Sequence, residues 1–109
     1  MTDFSTMTDD QLDEWLAVNV MGGNEFFPTT YAIHNGRVWQ PTRDLNQAVM
    51  CADFMANLGY SWSADNVEND HYHASVYRPS TENIYFCDAT NNPARALSEA
   101  VCMAVEGEG

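Results

Sequence analysis

The stretch His71-Tyr72-His73-Ala74-Ser75-Val76-Tyr77 decides the fold. Successive side chains of an extended chain point to opposite sides. Tyr72, Ala74 and Val76 therefore share one face, and His71, His73, Ser75 and Tyr77 the other. A strand with two unlike faces belongs to a sheet covered on one side. Downstream, Pro79 to Asn83 supplies a turn and Ile84 to Cys87 a further strand. Upstream, Asp65 to Asp70 reads as a polar loop, and Tyr60 to Ser63 as a short strand.

Helical patterns flank this β-rich centre. Thr8 and Gln11 have the spacing of a capping box, so a first helix starts at Thr8. Leu12, Trp15, Leu16 and Val20 recur along it as one apolar stripe, and Gly22-Gly23 ends it. Asn35-Gly36, between Thr30–Ile33 and Val38-Trp39, marks a hairpin turn, because both turn positions need φ > 0. After Pro41, Thr42 or Asp44 caps a second helix. It sets Leu45, Ala48, Val49, Ala52 and Met55 on one face and stops at Gly59. A third helix begins at Pro93 after Asn92 and carries Leu97, Ala100, Val101 and Ala104. The resulting order is α-β-β-α-β-β-β-α. The class is α+β, with helices covering a mainly antiparallel sheet.

The chain is 109 residues long, the length of a single domain, with residues 1–6 and 106–109 expected as frayed tails. An apolar fraction of 45 % with thirteen aromatics is enough for a core. No stretch has the ~18 apolar residues of a membrane span. Cys51, Cys87 and Cys102 are odd in number and widely spaced, which points to reduced, buried thiols in a cytosol.

Charge restricts the partners. The chain has no lysine; Arg37, Arg43, Arg78 and Arg95 face sixteen acids, for a net charge of -12. Phosphate-binding surfaces need Lys and Arg, so direct nucleic-acid binding and binding to anionic membranes are excluded. A basic protein partner fits.

Four features in order resemble the phage ABA sandwich domain family and span nearly the whole chain. They are the Leu12 helix running into Val20-Met21-Gly22, the Pro41-Thr42-Arg43-Asp44 lead into an Ala-rich helix, the Leu58-Gly59-Tyr60 exit, and the Pro93-Ala94-Arg95-Ala96-Leu97 helix with Cys102. Gly23 stands where the family carries an aromatic. The resemblance implies a three-layer helix/sheet/helix sandwich of phage or prophage origin. It implies no reaction and supplies no catalytic residue.

The sharpest functional candidate is the acidic arc Asp9, Asp10, Asp13 and Glu14, opposite the apolar stripe of the first helix. Its plain counterpart is a solvated face with carboxylates at the helix N-terminus. A surface on the order of 6,000 Å² leaves one net charge per ~500 Å², about fivefold sparser than DNA. Imitation of a nucleic acid therefore requires Asp65, Glu68 and Asp70 to join the arc on one face. Met50 and Phe54 lie opposite the second helix's core stripe, as a second buried side or as a dimer or partner interface. His71 and His73 have metal-ligand spacing, but the sequence offers no further ligands, and no metal or cofactor is expected. The serines lack a nucleophile-elbow context and no phosphate loop occurs, so no enzyme is expected.

The leading expectation is a phage accessory protein in the host cytoplasm. It would block a nucleic-acid-binding defence complex by filling its basic groove, as anti-CRISPR and anti-restriction inhibitors do. An alternative is a small-molecule binder that sequesters a nucleotide signal between Trp39, Tyr60, Trp62, Tyr77 and arginines. A third reading is a structural phage protein that homodimerises through Met50 and Phe54.

Overall fold

The computed structural model describes residues 3–20, 33–34, 37–38, 40–68 and 71–108. A 3-10 turn at Phe4–Thr6 leads into α1, Asp9–Asn19. Two short strands follow, β1 at Ile33–His34 and β2 at Arg37–Val38. Then come α2 (Leu45–Asn57), β3 (Ser61–Glu68), β4 (His71–Arg78), β5 (Asn83–Thr90) and α3 (Pro93–Glu108). The class is α+β, as the sequence indicates.

The centre of the fold is β4. It pairs antiparallel with β3 on one side and β5 on the other. Ala74 and Val76 are fully buried, and their register partners Trp62, Tyr85 and Cys87 lie on the same face. Across this face lies α3. Its buried residues include Ala94, Leu97, Ser98, Glu99, Val101 and Cys102, which point all round the helix. A helix buried all round must be covered on both sides. The sheet covers one side of α3, and α1 and α2 pack against the rest.

Here the layering departs from the expected helix/sheet/helix order. Among the described residues the order is sheet, then α3, then α1 and α2. The other sheet face is open: Ile84 is 57 % exposed and Phe86 52 %. The physical reason is the breadth of the apolar surface of α3, which makes this helix the middle layer.

Local chemistry sets the element ends. Thr8 and Gln11 form the expected capping box. Asp44 caps α2 by accepting from the backbone N–H groups of Asn46 and Gln47. Asn92 Oδ1 accepts from the N–H of Ala94 and of Arg95 at the start of α3. At the end of α2, Gly59 takes φ 97°, the N–H of Tyr60 donates to Met55 O, and that of Gly59 to Ala56 O. This is a Schellman closure, and it needs a residue tolerant of positive φ. In the hairpin, Ile33 pairs with Val38 and His34 with Arg37. Its turn residues Asn35 and Gly36, and the expected helix stop Gly22-Gly23, lie outside the described residues.

Three further expectations change. Asp65 to Glu68 belongs to β3, which pairs with β4 as far as Glu68 opposite His71. Polar residues suit this strand because its outer face meets solvent. The described parts of the segments expected as frayed are also engaged: Phe4 is 2 % exposed and packs edge-on to Trp15, and α3 stays helical to Glu108. Leu45, assigned to the core stripe of α2, is 44 % exposed, while Ala48, Cys51, Ala52 and Met55 are buried. It stands at the first helical position, at the edge of the packed layer. No helix among the described residues is long and apolar enough to cross a membrane.

Leu97→Ala should cost about 2–5 kcal/mol through the cavity it leaves in α3. Leu45→Ala should stay within about 0.5 kcal/mol. Urea unfolding of the two variants checks this, and an equal loss from both would contradict the facing of α2.

Candidate functional site

The acids of α1 are brought together with two arginines. Arg43 sits in the turn before α2, beside the N-terminus of α1. Its Nε donates to Asp9 Oδ2 at 3.5 Å and its Nη2 to Asp10 Oδ1 at 3.2 Å. Arg95, in the first turn of α3, reaches the other oxygen of Asp9 through Nη1 at 2.7 Å. Its Nε donates to Glu99 at 2.7 Å, a pair one helical turn apart. Its Nη2 donates to the carbonyls of Phe4 at 3.1 Å and Met7 at 2.7 Å. Burial works against the Arg95 cation, but its bonds to Glu99 and Asp9 outweigh it and hold its pKa above the ordinary value.

Asp13 is not on the surface. It is 2 % exposed and accepts the backbone N–H of Thr42 at 2.9 Å. The same turn is held from α3, where Asn92 Nδ2 donates to Thr42 O and Ser98 Oγ to Pro41 O. Burial raises the pKa of Asp13, and the bonds to Thr42 and the nearby Arg43 only partly offset this. The buried Cys51 is pushed up to about 12, first by burial and then by the charge of Asp13.

The expected four-acid face is therefore dismantled. Asp9 and Asp10 neutralise arginines, Asp13 anchors a turn, and Glu14 remains as the exposed acid beyond the first turn. The reason is the Pro41–Asp44 turn, which packs over the N-terminal half of α1 and needs acceptors there. Asp65 is exposed on β3, opposite His73 and on the open side of the sheet. That places it in a different layer from Glu14, with α3 between them. Glu68 ends β3, and Asp70 lies outside the described residues. Asp65 and the acids of α1 do not share one face.

Glu14 borders a shallow groove of about 370 Å³ on the outer side of α1. Met7, Trp15 and Val18 give it an apolar floor, and Gln11 and Asn19 complete the rim. On α2, Met50 is half-buried against the core and Phe54 is 40 % exposed. With Leu58 one turn on, also exposed, they form an apolar strip.

The aromatics named for a nucleotide pocket do not converge. The Tyr60 ring lies under the Arg78 guanidinium, Trp62 Nε1 donates to Asp53, Tyr77 faces the open side of the sheet, and Trp39 is outside the described residues. His73 stacks on Phe86 with ring centroids 5.5 Å apart. Among the described residues no three His, Cys, Asp or Glu side chains gather to hold a metal ion.

Sequence reasoning missed Arg95 as a hub. The Arg95/Glu99 spacing was the available signal, and the reach to Asp9 and Phe4 was not. It also missed the groups around Glu108, which come from three separate segments of chain.

No family model matches the chain, and no curated protein does. Its architecture nevertheless has a counterpart. The chain shares its fold with a phage protein. That protein is from Bacillus cereus, and its crystal structure superposes with a TM-score of 0.66 at 13 % identity, over 94 % of this chain and 96 % of the other. At that identity the likeness is one of fold alone.

Asp13→Asn keeps the acceptor for Thr42 and removes a buried charge. A carboxyl with a raised native pKa loses stability as pH rises through the window above its unfolded value, 3.8. The Asn variant should therefore gain on the wild type as pH rises through that window, measured by urea melts across pH. Arg95→Ala should cost about 3–5 kcal/mol, because it strands Glu99 and two carbonyls. A loss under about 1 kcal/mol in the same assay would refute its hub role.

Proposed function

We propose that this chain is a small acidic phage accessory protein that acts without catalysis, by binding a host protein with a basic surface. The target class that fits is a nucleic-acid-binding defence complex in the host cytoplasm, of the kind blocked by anti-CRISPR or anti-restriction inhibitors. One observation carries the reading. Each arginine side chain among the described residues, Arg43, Arg78 and Arg95, is held against carboxylates of the same chain. The cations serve as internal glue, and the surplus of acid is left to the outer surface. Such a surface repels phosphates and attracts Lys and Arg sites from a distance. The shared fold with a phage protein supports the origin.

The contact site in this reading is the groove on α1, where Trp15 and Val18 would take an apolar side chain and Glu14 a cation beside it. Exposed acids elsewhere, such as Asp65, contribute to steering rather than to contact. Glu14→Lys, alone and with Asp65→Lys, should slow association with a captured defence complex and weaken inhibition, without lowering Tm. Wild-type association should fall as added salt shrinks the Debye length from ~10 Å at 0.1 M to ~3 Å at 1 M. Inhibition indifferent both to salt and to these reversals would refute the reading.

A second reading rests on the Met50, Phe54 and Leu58 strip, as a self-association surface. Two chains of charge -12 repel each other, so a dimer formed there should strengthen as salt rises. Light scattering across salt separates the two readings, because basic-partner binding moves the opposite way.

A further inference from the structure

The last turn of α3 carries an acid where the helix dipole disfavours one. No basic residue lies in that turn to offset it. Instead, four side chains from the end of β4, the following turn and β5 converge on the carboxylate of Glu108. Tyr85 Oη donates to Oε2 at 2.5 Å and Asn83 Nδ2 to the same oxygen at 2.7 Å. Thr81 Oγ1 lies 3.4 Å from Oε1 and 3.3 Å from Oε2. Arg78 Nε stands 3.8 Å from Oε1, supplying charge more than a hydrogen bond. The bond to Tyr85, followed by that to Asn83, holds Glu108 below its ordinary pKa, and the Tyr85 hydroxyl is held above its own.

These groups are positioned without help from Glu108. Arg78 Nη1 donates to Tyr60 Oη at 2.7 Å, its guanidinium lies 4.7 Å from the centre of the Tyr60 ring, and its Nε donates to Ser80. The turn is closed by the N–H groups of Thr81 and Glu82 donating to Arg78 O, with Glu82 at φ 60°. Asn83 and Tyr85 are fixed by the β4–β5 register, opposite Arg78 and Val76. What brings Glu108 in is the glycine beside it. A Cβ on Gly107 would stand 2.5 Å from the end of the Tyr85 ring, so any larger residue there would push the Tyr85 hydroxyl from its place.

We propose that Arg78, Thr81, Asn83 and Tyr85 form a preorganised carboxylate-binding cradle, which Glu108 fills as an internal ligand and which an external carboxylate enters when Glu108 is absent. Tyr85 and Asn83 share one oxygen, Thr81 lies between the two and Arg78 faces the other. A set with three neutral donors and a single cation suits a monoanionic carboxylate rather than a more highly charged phosphate. The high local concentration of Glu108 keeps external carboxylates out of the intact protein.

Chemical rescue tests this, with acetate as the probe. Glu108→Ala should lower Tm, and acetate should raise it again in a saturable way that sodium chloride of equal ionic strength does not reproduce. In the same titration the Asn83 side-chain amide and Tyr85 ring signals should shift in NMR spectra. The wild type should show neither response, and Asn83→Ala in the Glu108→Ala background should abolish both. Inorganic phosphate in a parallel arm should rescue more weakly, and equal or better rescue would overturn the carboxylate assignment. Absence of saturable rescue, or rescue that survives Asn83→Ala, would overturn the cradle itself. If Glu108→Ala does not fold, Glu108→Ser takes its place, since it also vacates the cradle, with the same expected shifts and the same overturning results.

Discussion

One guanidinium joins the N-terminal segment of this chain to its middle layer. Arg95 projects from the first turn of α3 and binds Asp9 at the start of α1, two carbonyls of the N-terminal turn, and Glu99 on its own helix. A buried cation is expensive unless its donors are satisfied, and here they are satisfied by groups far apart in sequence. The interaction therefore specifies which segments meet as well as how tightly. Arg43 repeats the device from the turn before α2, through Asp9 and Asp10. The beginning of α1 is in effect a socket for two arginines.

That socket changes how the charge of the chain is understood. A lysine-free sequence with sixteen acids invites the idea of a dense anionic face. The carboxylates nearest one another are the ones the fold consumes. The field outside comes from acids dispersed over several layers, while Arg43, Arg78 and Arg95 are each drawn into ion pairs. Such a surface can steer a basic partner over a distance. In the function proposed above, close recognition rests on local shape, for which the groove beside Trp15 is the candidate.

Local signals predicted elements well. The capping box at Thr8, the cap at Asn92, the glycine stop at Gly59 and the alternation through His71–Tyr77 each act within a few residues, and each appears where the sequence places it. Long-range consequences were not legible. Asp13 looked like part of a solvated arc because nothing nearby in sequence shows that the Thr42 turn would cover it. Asp65 looked like loop because its polarity is equally suited to the solvent face of a strand. The layer order turns on α3 being buried on both sides, and a helix apolar on both sides does not say which neighbours cover it. The convergence on Glu108 draws on β4, a turn and β5, and no spacing rule anticipates it.

The three cysteines have a practical consequence. Cys51, Cys87 and Cys102 lie on α2, β5 and α3, all buried and none of them in a disulfide. A thiol reagent can reach each of them only when its own part of the core opens. The protein thus carries native reporters in separate elements of its core, without any engineered label. Comparing their modification rates would show whether the helical layers separate from the sheet before the strands part from one another.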